Sequence, residues 1–168
     1  VSLDSVGSYF GMRKIEIKKD DKALPRIFLN NQAVFQYGLL DQGFWPDGLY
    51  TAPTDAALRF DIETTKKLGF NLIRKHVKVE PARWYYWADK LGMLVWQDMP
   101  SSTDILMEPG RGELPRDSKI AANFEHELQR MIDTHYNSPS IIMWVLFNEG
   151  WGQYDTIRLT QWLKAYDP

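Results

Sequence analysis

The run Ile141-Ile142-Met143-Trp144-Val145-Leu146-Phe147 contains no polar residue and ends on Asn148-Glu149-Gly150-Trp151. A short apolar run without alternation reads as a strand covered on both faces, the situation in a parallel sheet. A carboxylate set directly behind such a run is costly to bury unpaired, and an Asn beside it offers hydrogen bonds to a ligand hydroxyl. Asn148 and Glu149 therefore mark the tip of a buried strand as a place to look for chemistry.

Working outward, Asn71 to Ile73 and Met93 to Trp96 are two more short apolar runs, and segments of helical period lie between them. A helix is expected from about Thr54 to Leu68, with Leu58, Ile62 and Thr65 on one face and Gly69 to end it. Pro81 opens a second, where Trp84, Trp87, Ala88 and Leu91 form a stripe before Gly92. Asp117 or Ser118 is placed to cap a third carrying Ile120, Phe124, Leu128 and Ile132, and Leu159, Trp162, Leu163 and Tyr166 repeat the spacing in a fourth. Strand and helix in strict alternation predict an α/β fold, either a doubly wound sheet or a (β/α)8 barrel. No GxGxxG follows a strand, which favours the barrel. A complete barrel takes about 250 residues; the 168 residues here hold about four βα units, the N-terminal half. Ahead of them, Arg13 to Lys18 alternates like a half-exposed strand. Arg26 to Leu29 and Ala33 to Tyr37 then read as a hairpin turning at Asn30-Asn31.

Composition narrows the function. The net charge is -2, and the Lys and Arg residues are dispersed, so no nucleic-acid footprint exists. No apolar run approaches the roughly 20 residues of a membrane span, and the stretch from Val1 lacks the order of a signal peptide. The absence of cysteine excludes disulfides, thiol nucleophiles and zinc-thiolate sites and is compatible with either cytoplasm or periplasm.

In parallel βα proteins the working residues gather at the carboxyl ends of the strands. Here the four tips deliver Asp41 and Gln42, then Arg74 and His76, then Gln97 and Asp98, then Asn148 and Glu149. Asp98 and Arg74 are equally readable as a buried ion pair between strands. His76 alone is more often a hydrogen-bonded structural residue than a base, and nothing near it has metal-ligand spacing. Trp84, Trp87 and Trp162 belong to helical stripes, whereas Trp45 and Trp151 sit in loops beside Gly, Pro and polar residues. Aromatic rings suit the flat C–H faces of sugars, so carbohydrate is the natural ligand. The stretch from Gly43 to Pro53 (GFWPDGLYTAP) is stiff enough for a pocket wall, and Ser101 to Arg116 reads as a surface connection without an assigned role.

These residues resemble glycoside hydrolase family 2, which comprises β-galactosidases, β-glucuronidases and β-mannosidases. The segment Ser8 to Ile15 (SYFGMRKI) is similar to the end of the family's immunoglobulin-like sandwich, and Phe28 to Gln32 (FLNNQ) to its hairpin into the barrel. Gly69 to Arg74 (GFNLIR), Trp84-Tyr85 with Asp89 to Gly92 (DKLG), and Asn137 to Trp144 (NSPSIIMW) follow in the family's order, and its Asn-Glu pair falls on Asn148 and Glu149. The resemblance implies residues 1–22 as the end of a sandwich domain and residues 23–168 as the N-terminal half of the catalytic barrel. It further implies a retaining mechanism in which Glu149 is the general acid/base and the second carboxylate lies about 5–5.5 Å away. That nucleophile is a Glu on the family's seventh strand, outside these residues. Glu149 would need a raised pKa, supplied by burial and by the nucleophile's charge. Asn148, Arg74, His76, Asp41, Gln42, Asp98, Trp45 and Trp151 are the expected substrate contacts, with a β-glycoside as substrate and the remaining barrel half and sandwich domains as partners.

The sequence also departs from the best-known β-galactosidases. Asp41-Gln42 stands where an Arg-His pair is common, and the magnesium-holding acid and His fall near Ser102 and Asp104, so no metal and no cofactor are expected. Trp96-Gln97-Asp98 is closer to the β-mannosidase pattern. Two other readings fit the residues: a non-catalytic carbohydrate-binding half barrel, and a half barrel that covers its open edges with a second copy of itself.

Overall fold

The computed structural model describes residues 3–101, 113 and 115–168. It begins with an antiparallel sheet of β1 (Ile15–Lys19), β2 (Pro25–Leu29) and β3 (Gln32–Ala33). Asn30 and Asn31 both take positive φ, 50° and 67°, as the tight turn between β2 and β3 demands. The expected second arm from Ala33 to Tyr37 is confined to two residues, because beyond Val34 the chain leaves β2 for the next sheet. There Tyr37 N–H donates to Asn71 Oδ1 and the Asn71 amide to the Phe35 carbonyl.

The second sheet is parallel, formed by β4 (Gly38–Asp41), β5 (Leu72–Lys75), β6 (Leu94–Asp98) and β7 (Ile141–Val145) in simple sequential order. Between them run α1 (Asp55–Lys67), α2 (Ala82–Leu91) and α3 (Ser118–His135), and α4 (Thr156–Tyr166) follows β7. Sequential order without a reversal is the wall of a barrel rather than a doubly wound sheet with a switch point. The chain is thus part of an α/β barrel, with β4 and β7 at its open edges.

The helix boundaries follow capping chemistry. Thr54 accepts from Ala57 N–H ahead of α1, Asp117 accepts from Lys119 and Ile120 N–H ahead of α3, and Gly92 closes α2 in the left-handed region. Leu58, Ile62 and Thr65 form the buried face of α1 as the spacing predicts. On α2 the stripe is rotated: Trp84, Tyr85 and Ala88 are buried, while Trp87 and Leu91 are half-buried at its margin. Trp87 is drawn outward by its indole N–H bond to Asp55. On α3 the face runs from Phe124 to His135 and Ile120 is exposed; on α4, Leu159 and Leu163 are buried, with Trp162 half-buried and stacked on Tyr166.

Strand register decides which side chains face the helices. Ile73, Val95 and Ile141 are paired neighbours in one cluster with Ile62, Trp84 and Ala88. Fully burying each such side chain is worth about 1.5–3 kcal/mol. A second cluster joins Leu128 and Ile132 to Leu146, Leu159 and Leu163, and Trp144 packs against both. An irregularity between Val95 and Trp96 shifts β7 by one residue, so that both Ile141 and Trp144 face the helices. Met143 and Val145 then share the opposite, inner face with Trp96 and Asp98. The strand ends at Val145 rather than Phe147, and Phe147 turns out to stack on Phe124.

Candidate active site

Register carries Leu40, Arg74, Trp96 and Met143 to the inner face, and Asp41, Lys75, Gln97 and Trp144 to the helix-facing side. The strand-tip residues therefore divide into two groups.

On the inner face, Arg74 grips Asp98 through Nε and Nη2, both at 2.9 Å, and its Nη2 also donates to Asn148 Oδ1 at 3.0 Å. Two parallel bonds from a guanidinium fix direction as well as charge. Asp98 is buried and takes a third hydrogen bond, 3.2 Å, from Val77 N–H. Val77 sits at φ 51°, an uncommon conformation for a β-branched residue. Asp98 thus orders Arg74 and the turn after β5 together. Asn148 is only 3% exposed, and its Nδ2 has no hydrogen-bond partner among the described residues. A buried donor without a partner calls for an explanation, and a ligand oxygen is the simplest.

Glu149 follows at φ 51°, and Gly150 and Gly152 are also left-handed. The chain turns sharply there, with Trp151 N–H donating to the Asn148 carbonyl at 2.8 Å. A left-handed Glu is strained by about 1–2 kcal/mol, and strain of this kind clusters at working sites. Glu149 is exposed, so the burial expected around it is not provided by the described residues. Trp151 is half-buried beside it.

At the rim, Gln42 Nε2 lies 3.1 Å from His76 Nδ1, and His76 N–H donates to the Asp41 carbonyl. Trp45 is half-buried, its indole nitrogen without a partner among the described residues, while Phe44 and Tyr50 on either side are exposed. Asp41 stands apart from the inner group. Its carboxylate accepts from Lys75 Nζ at 2.6 Å on the helix-facing side, where Lys75 also reaches Glu80 at 2.9 Å. Burial raises the Asp61 carboxyl on nearby α1 above its usual range, with the negative charge of Asp41 adding and Lys75 opposing.

The sequence reading missed Lys75, Lys78 and Glu80, because the run Lys75 to Glu80 (KHVKVE) looks like solvated charge. The available signal was Lys75 itself, which directly extends a strand buried on both sides. Ser102 and Asp104, and most of the connection from Ser101 to Arg116, lie outside the described residues. Among the described residues no cluster of three or more His, Asp or Glu side chains is arranged to hold a metal ion, and no helix is long and apolar enough to cross a membrane.

Comparison with known proteins gives one consistent answer. The family model for "Glycosyl hydrolases family 2, TIM barrel domain" matches residues 50–168. A β-galactosidase from Lactococcus lactis is 27% identical over 157 residues, covering 94% of this chain and 15% of that protein. A putative β-glucuronidase from Formosa agariphila is 31% identical over 147 residues, 88% of this chain and 16% of its own length. Among solved structures, the β-glucuronidase of Parabacteroides merdae superposes with a TM-score of 0.68 at 25% identity, covering 93% of this chain and 18% of that one. The chain thus spans about a sixth of the relatives it matches. A match over most of the chain, on a sheet with the sequential parallel order of a barrel, means that this chain belongs to glycoside hydrolase family 2 and forms part of its TIM barrel domain.

Proposed function

We propose that the full-length protein is a retaining, exo-acting β-glycosidase for substrates of the β-galactoside, β-glucuronide or β-mannoside type, with Glu149 as its general acid/base. The observation that carries this reading is the Nδ2 of buried Asn148, without a partner among the described residues, oriented by Arg74 and Asp98 and followed directly by Glu149. A sugar hydroxyl accepts from Nδ2 and places the glycosidic oxygen near the carboxyl. Glu149 donates its proton to that oxygen as the second carboxylate, supplied by the rest of the barrel, bonds to the anomeric carbon. It then takes a proton from the water that releases the sugar, regenerating both carboxyl groups. His76, Gln42, Trp45 and Trp151 complete the proposed substrate surround, whereas the Asp41 carboxylate, held by Lys75 on the helix-facing side, lies outside it. Residues 1–22 are read as the end of a sandwich domain and residues 23–168 as the first half of the barrel, whose partners are the remaining barrel half and the sandwich domains. The bond from Arg13 Nε to the Ile141 carbonyl, 2.8 Å, ties the two parts.

The test compares the full-length protein with its Glu149→Gln variant on aryl β-glycosides of poor and good leaving groups. Poor leaving groups need the proton, so their kcat/KM falls about 10²–10⁴-fold, while activated ones lose far less in the first step. Equal rates for the two proteins on poor leaving groups would remove the acid role.

A further inference from the structure

The loop from Gln42 to Thr54 leaves the carboxyl end of β4 and is closed on itself. Trp45 and Leu49 exchange both backbone hydrogen bonds, 2.7 and 3.0 Å, around Pro46-Asp47-Gly48, and Gly43 N–H donates to Asp41 Oδ1 at 2.8 Å. What holds this loop to the barrel is Lys78, a side chain only 2% exposed. Its Nζ donates to the Gly43 carbonyl at 2.6 Å and the Tyr50 carbonyl at 2.9 Å, one on each side of the turn. It forms an ion pair with Glu80 Oε1 at 3.0 Å, and the ammonium lies 4.4 Å from the centre of the Tyr50 ring. Glu80 is held in turn by Lys75, which reaches back to Asp41.

The ammonium is thus held by two carbonyls and one carboxylate, and the fit leaves no slack. A Cβ on Gly43, at φ 65°, would come within 2.4 Å of Glu80 Oε1 and 2.8 Å of Lys78 Nζ. Buried ion networks of this kind add little stability over apolar packing. What they do supply is geometry. The group so positioned is the pair Phe44 and Tyr50, exposed by 67% and 50%, with ring centres 5.7 Å apart in an edge-to-face arrangement. The pair stands at the same end of the sheet as Arg74, Asn148 and Glu149, the end where barrel sites form.

We infer that Lys78 is a positioning residue: by gripping both sides of the turn it sets Phe44 and Tyr50 as an aromatic rim against which a sugar ring of the substrate packs. The substrate half of this inference rests on the β-glycosidase reading; the grip does not.

The experiment uses the full-length protein, its Phe44→Ala, Tyr50→Ala and Lys78→Met variants, and an aryl β-glycoside that the parent hydrolyses. Removing either ring raises KM about 2- to 10-fold, the size of an aromatic contact, with kcat within about twofold because no proton-transfer group has moved. Lys78→Met gives the same KM rise and opens a new chymotrypsin cut between residues 43 and 50 that the parent resists. Unchanged KM in both ring variants, with a lowered thermal midpoint, would mean that the rings pack on the other half of the barrel, and the rim would be overturned. A Lys78→Met protein whose loop is as resistant as the parent's would overturn the grip. If the Lys78 variant does not fold, Gly43→Ala strains the same contact from the loop side and is read in the same two ways. A parent inactive on every aryl β-glycoside defeats the enzyme reading and the rim together, while the chymotrypsin result still decides the grip.

Discussion

The two faces of one sheet carry polar clusters of opposite character. On the helix-facing side, Lys75 is paired with Asp41 and Glu80, Lys78 with Glu80 and two carbonyls, and Gln97 with Tyr85 and the carbonyls of Lys78 and Asp98. That cluster is closed. On the inner face the buried polar atoms of Arg74, Asp98 and Asn148 are partnered with one another or with Val77 N–H, save Asn148 Nδ2, which has no partner among the described residues. Buried polar groups are nearly always satisfied, so the open donor on this face is where the proposed ligand oxygen would be received. Both clusters draw on the same strand tips, but only the inner one leaves a buried side-chain donor open among the described residues.

Substitutions on the two faces are expected to show in different measurements. The largest effect is expected from Lys75→Met, which leaves Asp41 and buried Glu80 short of a partner; removing one side of a buried pair costs about 3–5 kcal/mol, read as a lower denaturation midpoint of the full-length protein, with kcat of the folded fraction retained. Asn148→Ala acts the other way: kcat/KM on an aryl β-glycoside drops about 10- to 100-fold, the worth of a desolvated hydrogen bond, and the midpoint hardly moves. A midpoint loss for Asn148→Ala as large as that for Lys75→Met would erase the distinction between the faces. Asp117→Ala, remote from both, removes the cap of α3 and lowers stability by about 1 kcal/mol with unchanged kinetics.

The smallest effect is a pH dependence. Burial holds the His135 ring below the ordinary imidazole range, against the opposing pull of the Met131 carbonyl. The unfolded chain therefore binds the proton more readily. Stability from this group is full above the unfolded value, about 6.5, and declines as the pH falls below it. Asp61, raised by burial, works in the opposite sense in acid. Comparing parent with His135→Gln between about pH 7.5 and about pH 5.5 isolates the imidazole; parallel midpoint curves would show that His135 does not contribute.

Much of this was legible in the residues. Caps at Thr54, Asp117 and Gly92 and the turn at Asn30-Asn31 are local chemistry, and each stands where the sequence puts it. The strand tips were legible as polar ends of apolar runs, but which face each side chain takes was not. That depends on register, and the irregularity beside Trp96 is a tertiary event that no local pattern announces. Asp41 shows the consequence, pointing to Lys75 rather than to Arg74. Lys78 and Glu80 were hidden for a related reason: alternating charge reads as a wet surface until a loop of remote sequence folds over it.

Val77 and Arg13 show how far apart in the chain such dependencies lie, and Arg13 has a temporal side. Its guanidinium binds the carbonyl of Ile141, and Tyr9 binds Asp89. During synthesis the Arg13 bond waits for Ile141, 128 residues further along. That bond exists only once β7 has been made, whereas the Tyr9 bond to Asp89 needs nothing beyond α2.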